Sequence, residues 1–170
     1  MVPDGRSHKS NSQNVAVICG GVGAARLLRG LVEVVAAEQL TAIVNVGDDM
    51  NLHGLHISPD IDTIIYTLAD QVSQQRGWGL EGETWQAMSM VERYGGEAWF
   101  SLGDRDLGTH LFRTNELNNG KPLSAVTQAI ASSWGLDLRL LPATDDPLRT
   151  MVTIEDGSEI SFQELSLIHI

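Results

Sequence analysis

The sequence predicts an α/β fold with a mainly parallel sheet, and three short apolar runs carry that prediction. VAVIC at 15–19 and TAIVNV at 41–46 suit strands that are buried on both faces, and LDLRLL at 136–141 is a third candidate. Helical patterns separate these runs, so the opening strand–helix–strand unit should be parallel and right-handed. Farther along, TMVTIE and SEISFQ alternate apolar and polar residues around Asp156–Gly157, which predicts a C-terminal β-hairpin.

The helices are predicted from apolar spacing and from end signals. The first follows GGVG at 20–23, and its apolar residues recur at helical spacing: Leu27, Leu28, Leu31, Val34 and Val35. The second presents one apolar face: Ile61, Ile64, Ile65 and Leu68. Thr84 is predicted to cap a third helix that ends at Gly95–Gly96, and two more helices are expected near 106–117 and 124–134.

The composition limits the class of protein and its partners. The chain has 170 residues, enough for one domain, and its 11 basic and 22 acidic residues give a net charge of −11. That charge argues against a general nucleic-acid surface, whose affinity comes from Lys and Arg. The single cysteine, Cys19, excludes an internal disulfide and a multi-cysteine metal site, and its position favours a buried filler.

Neither a membrane span nor a secretion signal is expected. No run approaches the roughly 18 apolar residues that a membrane helix needs. Residues 1–14 lack the apolar core of a secretory signal. We therefore expect a disordered leader over 1–14, a cytoplasmic location, and neither a membrane nor a nucleic acid as partner.

Three glycines directly after the first strand indicate an anion site. Gly20, Gly21 and Gly23 allow the tight turn that brings backbone N–H groups to an anion at a helix N-terminus. The dinucleotide fingerprint is incomplete, because Arg26 stands where its third glycine should be. A plain NAD site is therefore disfavoured, while a turn with no ligand at all stays open as an alternative.

Four aspartates lie between the second strand and the second helix. Asp48 and Asp49 leave the strand together, while Asp60 and Asp62 surround the helix start. Ligands of open α/β sheets bind beyond the carboxyl ends of the strands, where this segment must lie. Clustered carboxylates without His or Cys suit Mg²⁺, and they also accept bonds from sugar or polyol hydroxyls. The alternative is a solvated turn followed by first-turn acids that complement the helix dipole.

A further polar cluster, Gly103-Asp104-Arg105-Asp106 with His110, admits two interpretations. In the structural one, Asp104 caps a helix and Asp106 forms an i, i+4 surface pair with His110. In the functional one, Arg105 binds a phosphate and Asp104 contacts the ligand. The segment Thr144–Pro147 follows another strand end and is expected to face the same crevice.

Taken together, the motifs resemble those of the 2-phospho-L-lactate transferase family. The resemblance runs in order from Val15 to about Glu164: CGGVGAARLLRGL, VNVGDD, HGLHISPDIDTIIYTL, RGWGLEGETW, LGDRDLGTHLFRT, LLPATDD and SFQE. It implies a Rossmann-like, doubly wound fold, Mg²⁺ as cofactor and a homodimer. It also implies transfer of a 2-phospholactyl or phosphoenolpyruvyl group from a guanosine diphosphate donor to the deazaflavin Fo. GMP is released, and the product belongs to coenzyme F-420 biosynthesis.

Carried over residue by residue, the resemblance implies a role for each candidate. Gly20, Gly21 and Gly23 would cradle the nucleotide phosphates, and Asp48 and Asp49 would hold the metal. The residues expected on the substrate side are Asn45, Asp60, Asp62, Ser101, Asp104 and Arg105. Asp62, expected at the attacking hydroxyl, and Asp49 are the predicted catalytic residues.

The resemblance also predicts a truncated domain. The family continues for roughly as long again, whereas this sequence ends on LSLIHI. We therefore expect residues 15–164 to form the N-terminal part of a transferase domain and residues 165–170 to be a non-native tail. Two alternatives stay open. One is a related regulator that binds nucleotide sugars without turnover, although RGWG and GDRD are not expected there. The other is a generic NAD oxidoreductase.

Overall fold

The computed structural model describes residues 13–161 and Leu165, in which strands and helices follow one another along the chain. The strands are β1 (Val15–Cys19), β2 (Leu40–Val44), β3 (Met50–Leu52), β4 (Leu55–Ile57), β5 (Arg139–Pro142), β6 (Met151–Thr153) and β7 (Glu159–Ser161). The helices are α1 (Gly21–Leu31), α2 (Pro59–Leu68), α3 (Gln86–Arg93), α4 (Asp104–Asn118) and α5 (Leu123–Ser133).

A parallel three-stranded sheet of order β1-β2-β5 forms the centre of the fold. Val15 pairs with Leu40, and Ala42 pairs with Leu140, so both neighbours of β2 run in its direction. The predicted α/β class and the parallel opening unit are therefore confirmed. The predicted C-terminal hairpin is also present, as the antiparallel pair β6–β7.

The first strand is not buried on both faces, contrary to the prediction from its apolar sequence. Leu40, Ala42 and Val44 lie on the covered face of the sheet and belong to the main core, together with residues of α1, α2 and α5. On the opposite face, Ile18 is 88% exposed and its neighbour Ile43 is partly exposed. Within the part of the chain that the structure describes, helices cover one face of the sheet.

The segment 47–58, which the sequence presents as a loop, contains a short hairpin. Strands β3 and β4 pair antiparallel and are joined by His53 and Gly54. Both joining residues have positive φ, at 53° and 76°, as a type I′ turn requires. Leu52 and Ile57 lie on the apolar face of this hairpin. They pack against Met88 and Leu102 and form with them a second, smaller core.

Several predicted boundaries shift by a few residues. The first helix ends at Leu31, before Val34 and Val35. The third begins at Gln86 rather than beside Thr84, whose hydroxyl bonds elsewhere. The fourth begins at Asp104, two residues earlier than predicted.

Some expectations fall outside the described residues. The structure leaves out nearly all of the leader predicted over 1–14 and of the tail predicted over 165–170, so both stay predictions. The domain predicted over 15–164 also stays a prediction. Among the described residues, no helix combines the length and apolar character that crossing a bilayer requires.

The two faces of the sheet should respond differently to the same polar residue. We expect Ile18→Thr to change the free energy of unfolding by less than about 0.5 kcal/mol, because the side chain is already in water. Val44→Thr buries an extra hydroxyl in the core and should cost about 1–3 kcal/mol. Urea denaturation measures both. A loss at Ile18 as large as that at Val44 would contradict the open face.

Candidate functional site

The glycine turn after β1 is built around a close approach of Asp60. A Cβ at Gly20 would lie 2.7 Å from Asp60 Oδ2 and 3.1 Å from Asn45 Cβ, and Gly21 has a φ of +65°. Asn45 Nδ2 donates a hydrogen bond of 2.9 Å to the same Asp60 oxygen. The structure therefore brings Gly20, Gly21, Asn45 and Asp60 together at the N-terminus of α1. Gly23 lies within the first turn of α1 with open space around it.

Negative charge accumulates next to this turn. Burial raises the pKa of Asp48, and the carboxylates of Asp60 and Asp49 raise it further. Burial, followed by the charge of Asp60, also raises the pKa of the Cys19 thiol to about 11. Cys19 is thus a protonated, buried side chain, as expected of a filler. Asp48, Asp49 and Asp60 form the acidic cluster of this site, and a cation near them would relieve their mutual repulsion.

One carboxylate oxygen of Asp49 has hydrogen-bond partners and the other has none among the described residues. Its residue is 9% exposed, and its Oδ2 accepts a 2.8 Å bond from Ser58 Oγ and lies 3.0 Å from His56 Nε2. Its Oδ1 is buried without a hydrogen-bond partner. An unpaired buried carboxylate oxygen is costly, so this atom is a site for a cation or a ligand donor.

Asp62 stands apart from the acidic cluster. It is 5% exposed, and its two oxygens contact the guanidinium of Arg113, which is itself fully buried. The bond from Arg113 Nη1 to Asp62 Oδ2 is 3.1 Å long. Burial raises the pKa of Asp62, while Arg113 and His110 oppose that rise. The predicted contact between Asp62 and a substrate hydroxyl stays a prediction, and the hydroxyl would share this carboxylate with Arg113.

The same buried network continues to Asp106. Burial alone would raise the pKa of Asp106, but the adjacent imidazole of His110 and a hydrogen bond from Tyr66 hold it below its ordinary value. Ligand atoms of Asp62, Asp106 and His110 lie within 4.8 Å of one another, which is the only such trio among residues 13–161 and 165. Arg113 already supplies the positive charge there, so the trio does not require a metal.

Asp104 and Glu83 cap each other's helices. Asp104, the first residue of α4, accepts bonds of 3.0 Å from the backbone N–H groups of Gln86 and Ala87 at the start of α3. Glu83 in turn accepts 2.8 Å bonds from the first N–H groups of α4. A Cβ on Gly103 would lie 2.1 Å from the Glu83 carboxyl carbon, so the motif needs glycine there. The structural interpretation of Asp104 as a cap is therefore correct in kind, although it caps the neighbouring helix.

The remaining substrate-side candidates lie around this junction. Arg105 directs its guanidinium to the carbonyl oxygen of Glu81. Ser101 is exposed in the segment just before α4. Neither position is tested for ligand contact, and both assignments stay predictions.

The arginine of the RGWG motif makes cation–π contacts with two tryptophans. The Arg76 guanidinium lies 5.6 Å from the ring centre of Trp78 and 4.8 Å from that of Trp85, and it also donates to the Leu80 carbonyl. Cation–π contacts of this kind fix the loop before α3.

Two cavities border Asp49. One of about 240 Å³ is also lined by His56, Asp145 and Asp146, so most of the segment 144–147 lies on the same cavity as Asp49. The other, of about 330 Å³, lies against Asp48 and is lined by Trp99 and Thr150, and Arg149 borders both cavities; sequence reasoning missed these three residues. Trp99 and Arg149 belong to none of the motifs found in the sequence, so the sequence alone does not indicate that they lie near the site.

Comparisons with known proteins identify similar chains. The profile of the family described as 2-phospho-L-lactate transferase CofD matches residues 15–169. A protein of Nocardia farcinica named phosphoenolpyruvate transferase is 50% identical over 157 residues, which cover 88% of this chain and 47% of that protein. A protein of Mycobacterium tuberculosis with the same name is 48% identical over 169 residues, covering 88% and 51%. The chain therefore spans about half the length of the curated relatives it matches.

A solved structure shows the same fold. Protein BH3568 from Bacillus halodurans is 21% identical and superposes with a TM-score of 0.53 over 90% of this chain and 46% of its own. At that identity the likeness concerns the fold alone.

The cap made by Asp104 should depend on pH. Bonds from Thr84, Ala87 and Gln86 lower the pKa of Asp104 below its ordinary 3.8, so ionisation stabilises the folded chain. That stability is present above the unfolded pKa and is lost as pH falls through the folded pKa. The excess stability of wild type over Asp104→Asn should therefore be constant above about pH 5 and shrink below it. Urea denaturation across pH measures this difference, and a pH-independent difference would contradict the charged cap.

Breaking the buried ion pair should be severe. We expect Arg113→Met to lower the free energy of unfolding by about 3–5 kcal/mol, because Asp62 is left buried without its counterion. Adding Asp62→Leu should restore much of the loss, since no charge then remains unpaired. Arg29→Met is the matched control, because its pair with Asp70 is exposed and worth at most about 1 kcal/mol. Equal losses at Arg29 and Arg113 in thermal and urea unfolding would refute the buried role.

Proposed function

The chain belongs to the 2-phospho-L-lactate transferase CofD family, and from this premise we propose that it forms the nucleotide-binding part of a transferase. The reaction moves a phosphoenolpyruvyl or 2-phospholactyl group from a guanosine diphosphate donor to a hydroxyl of the deazaflavin Fo, in coenzyme F-420 biosynthesis. The names of the relatives favour the phosphoenolpyruvyl group. The observation that carries the proposal is the acidic cluster set against the glycine turn at one end of a parallel sheet.

The glycine turn supports the binding of a diphosphate. Gly20 and Gly21 add no side chain of their own at the start of α1, and a helix N-terminus favours anions. Asp60 lies at the same turn, and its charge would repel a phosphate that arrived alone. A donor accompanied by a divalent cation avoids that conflict.

The acidic cluster fits the Mg²⁺ that the family implies. Its donors are carboxylate oxygens, which Mg²⁺ prefers, and the buried Oδ1 of Asp49 lacks a partner. Asp48 and Asp49 would hold the ion. When bound, Mg²⁺ neutralises charge on a transferring phosphoryl group and on the leaving phosphate.

The chain's own residues position the reactants. Displacement at phosphorus relies on alignment and charge neutralisation more than on covalent help from the protein. The Fo hydroxyl forms the new bond to the phosphorus nearest the transferred group, the bond to the GMP phosphate oxygen breaks, and the hydroxyl proton passes to a carboxylate. Asp60 is accessible at the turn for that role, whereas Asp62 is largely buried and both of its oxygens already contact Arg113.

We further propose that the complete protein is a cytoplasmic homodimer. The resemblance implies this assembly for the family. Fo and the guanosine diphosphate donor are its small-molecule partners in this proposal. No specific observation favours the nucleotide-sugar regulator or the NAD oxidoreductase.

The transferase activity is testable in a chain completed to family length. We expect this sequence through Glu164, joined to the C-terminal half of the Nocardia farcinica relative, to convert Fo and donor to a phosphorylated product with release of GMP. Excess chelator should abolish turnover, and Asp49→Asn should lower it by roughly 10²-fold or more, the scale of a lost charged catalytic group. Mass spectrometry of product and GMP provides the measurement.

The controls separate the competing functions. Asp70→Asn changes an exposed carboxylate that pairs with Arg29 just beyond the C-terminal end of α2, whereas Asp60 lies at the N-terminal end, and it should leave turnover unchanged. Binding of UDP-sugars without binding of GDP or Fo would favour the regulator. Binding of a nicotinamide cofactor, followed by fluorescence, would favour the oxidoreductase.

A further inference from the structure

The register of the β3–β4 hairpin places four polar residues on one face: Asn51 and His56, and next to them Asp49 and Ser58. Met50 pairs with Ile57 and Asn51 with His56, so the next position outward sets Asp49 opposite Ser58. His56 is the diagonal neighbour of Asp49, and side chains in that relation can touch on one face. The hairpin therefore brings His56 and Ser58 to the same carboxylate.

Ser58 uses its hydroxyl on Asp49 rather than on the helix it precedes. It occupies the N-cap position of α2, where serine usually accepts a bond from the helix backbone, yet it makes no side-chain cap bond. Its Oγ donates instead to Asp49 Oδ2 at 2.8 Å, and the residue is 0% exposed. Ser58 therefore holds the Asp49 carboxylate instead of capping α2.

The backbone of His56 is hydrogen-bonded to α4. Its backbone N–H donates a 2.8 Å bond to Thr114 Oγ1, and its Nε2 lies 3.0 Å from Asp49 Oδ2. The opposite face of the hairpin is fixed by Leu52 and Ile57 in the second core. Rotation of the Asp49 carboxylate is thereby opposed by two contacts from a rigid support.

We propose that His56 and Ser58 are positioning residues that fix Asp49 Oδ2 so that Oδ1 is presented to a divalent cation. Both contacts converge on one oxygen, and the other oxygen is buried with no partner. Hydrogen bonds to ligating carboxylates orient them and raise metal affinity. The inference rests on the proposed function, because it assumes that the acidic cluster binds a metal.

Mn²⁺ binding to this chain tests the proposal without requiring activity. Mn²⁺ is a paramagnetic stand-in for Mg²⁺, and its free fraction is measured by electron paramagnetic resonance. We expect His56→Phe and Ser58→Ala each to weaken Mn²⁺ affinity by roughly 10- to 100-fold, the usual cost of losing an orienting partner. His56→Gln retains an N–H donor and should bind within a few-fold of wild type.

A matched control lies on the same hairpin. His53 is exposed at the turn with a φ of 53°, a conformation that asparagine tolerates, so His53→Asn should bind Mn²⁺ as wild type does. Circular dichroism and thermal unfolding check that each variant is folded. If His56→Phe only loosened the hairpin, His56→Gln would not rescue the affinity.

The outcomes distinguish this inference from the proposed function. If wild type binds Mn²⁺, Asp49→Asn does not, and the folded His56 and Ser58 variants bind as wild type does, the positioning role is overturned while the metal site stands. If wild type and Asp49→Asn both fail to bind, the metal assignment in the proposed function fails, and the positioning role fails with it.

Discussion

The ion pair between Asp62 and Arg113 is the interaction on which the geometry of the site depends. It joins α2 to α4 in the interior, where Arg113 is fully buried and Asp62 is only 5% exposed. Two positions before Asp62, Asp60 reaches the glycine turn, and one position after Arg113, Thr114 holds the hairpin. The pair thus fixes the spacing between α2, which carries Asp60 of the acidic cluster, and α4, which supports the hairpin beside Asp49. Because a buried pair rarely adds stability, its value here is geometric.

The sheet and its hairpins differ in how much local sequence determines them. The strand at 15–19 and the C-terminal hairpin follow from local pattern and were predictable, although the hairpin turn is closed between Ile154 and Gly157 and is not the expected type I′ turn at Asp156–Gly157. The exposure of Ile18 was not predictable. An apolar run indicates that a strand can be buried, but it does not show whether other elements cover both of its faces. The β3–β4 hairpin was missed because its strands have three residues each and its turn begins with His53 instead of Asn or Asp.

The candidate site follows the same division. That Asp48, Asp49 and Asp60 gather near the glycine turn was predictable, since carboxyl ends of parallel strands share one edge. The burial of Asp62 was not, because its partner Arg113 lies 51 residues away and sequence spacing is silent about such pairs. For Asp104, local rules identified a capping residue but not which helix it caps.

The exchange of caps between Glu83 and Asp104 has a kinetic consequence. Each helix obtains its N-terminal hydrogen-bond acceptors from a residue placed by the other, so neither start is satisfied until both are docked. Helices α3 and α4 should consequently form and open as one cooperative unit, so that hydrogen exchange at their first-turn amides reports one common opening free energy. Opening this unit would also release Thr114 and, with it, the support of the metal-facing carboxylate.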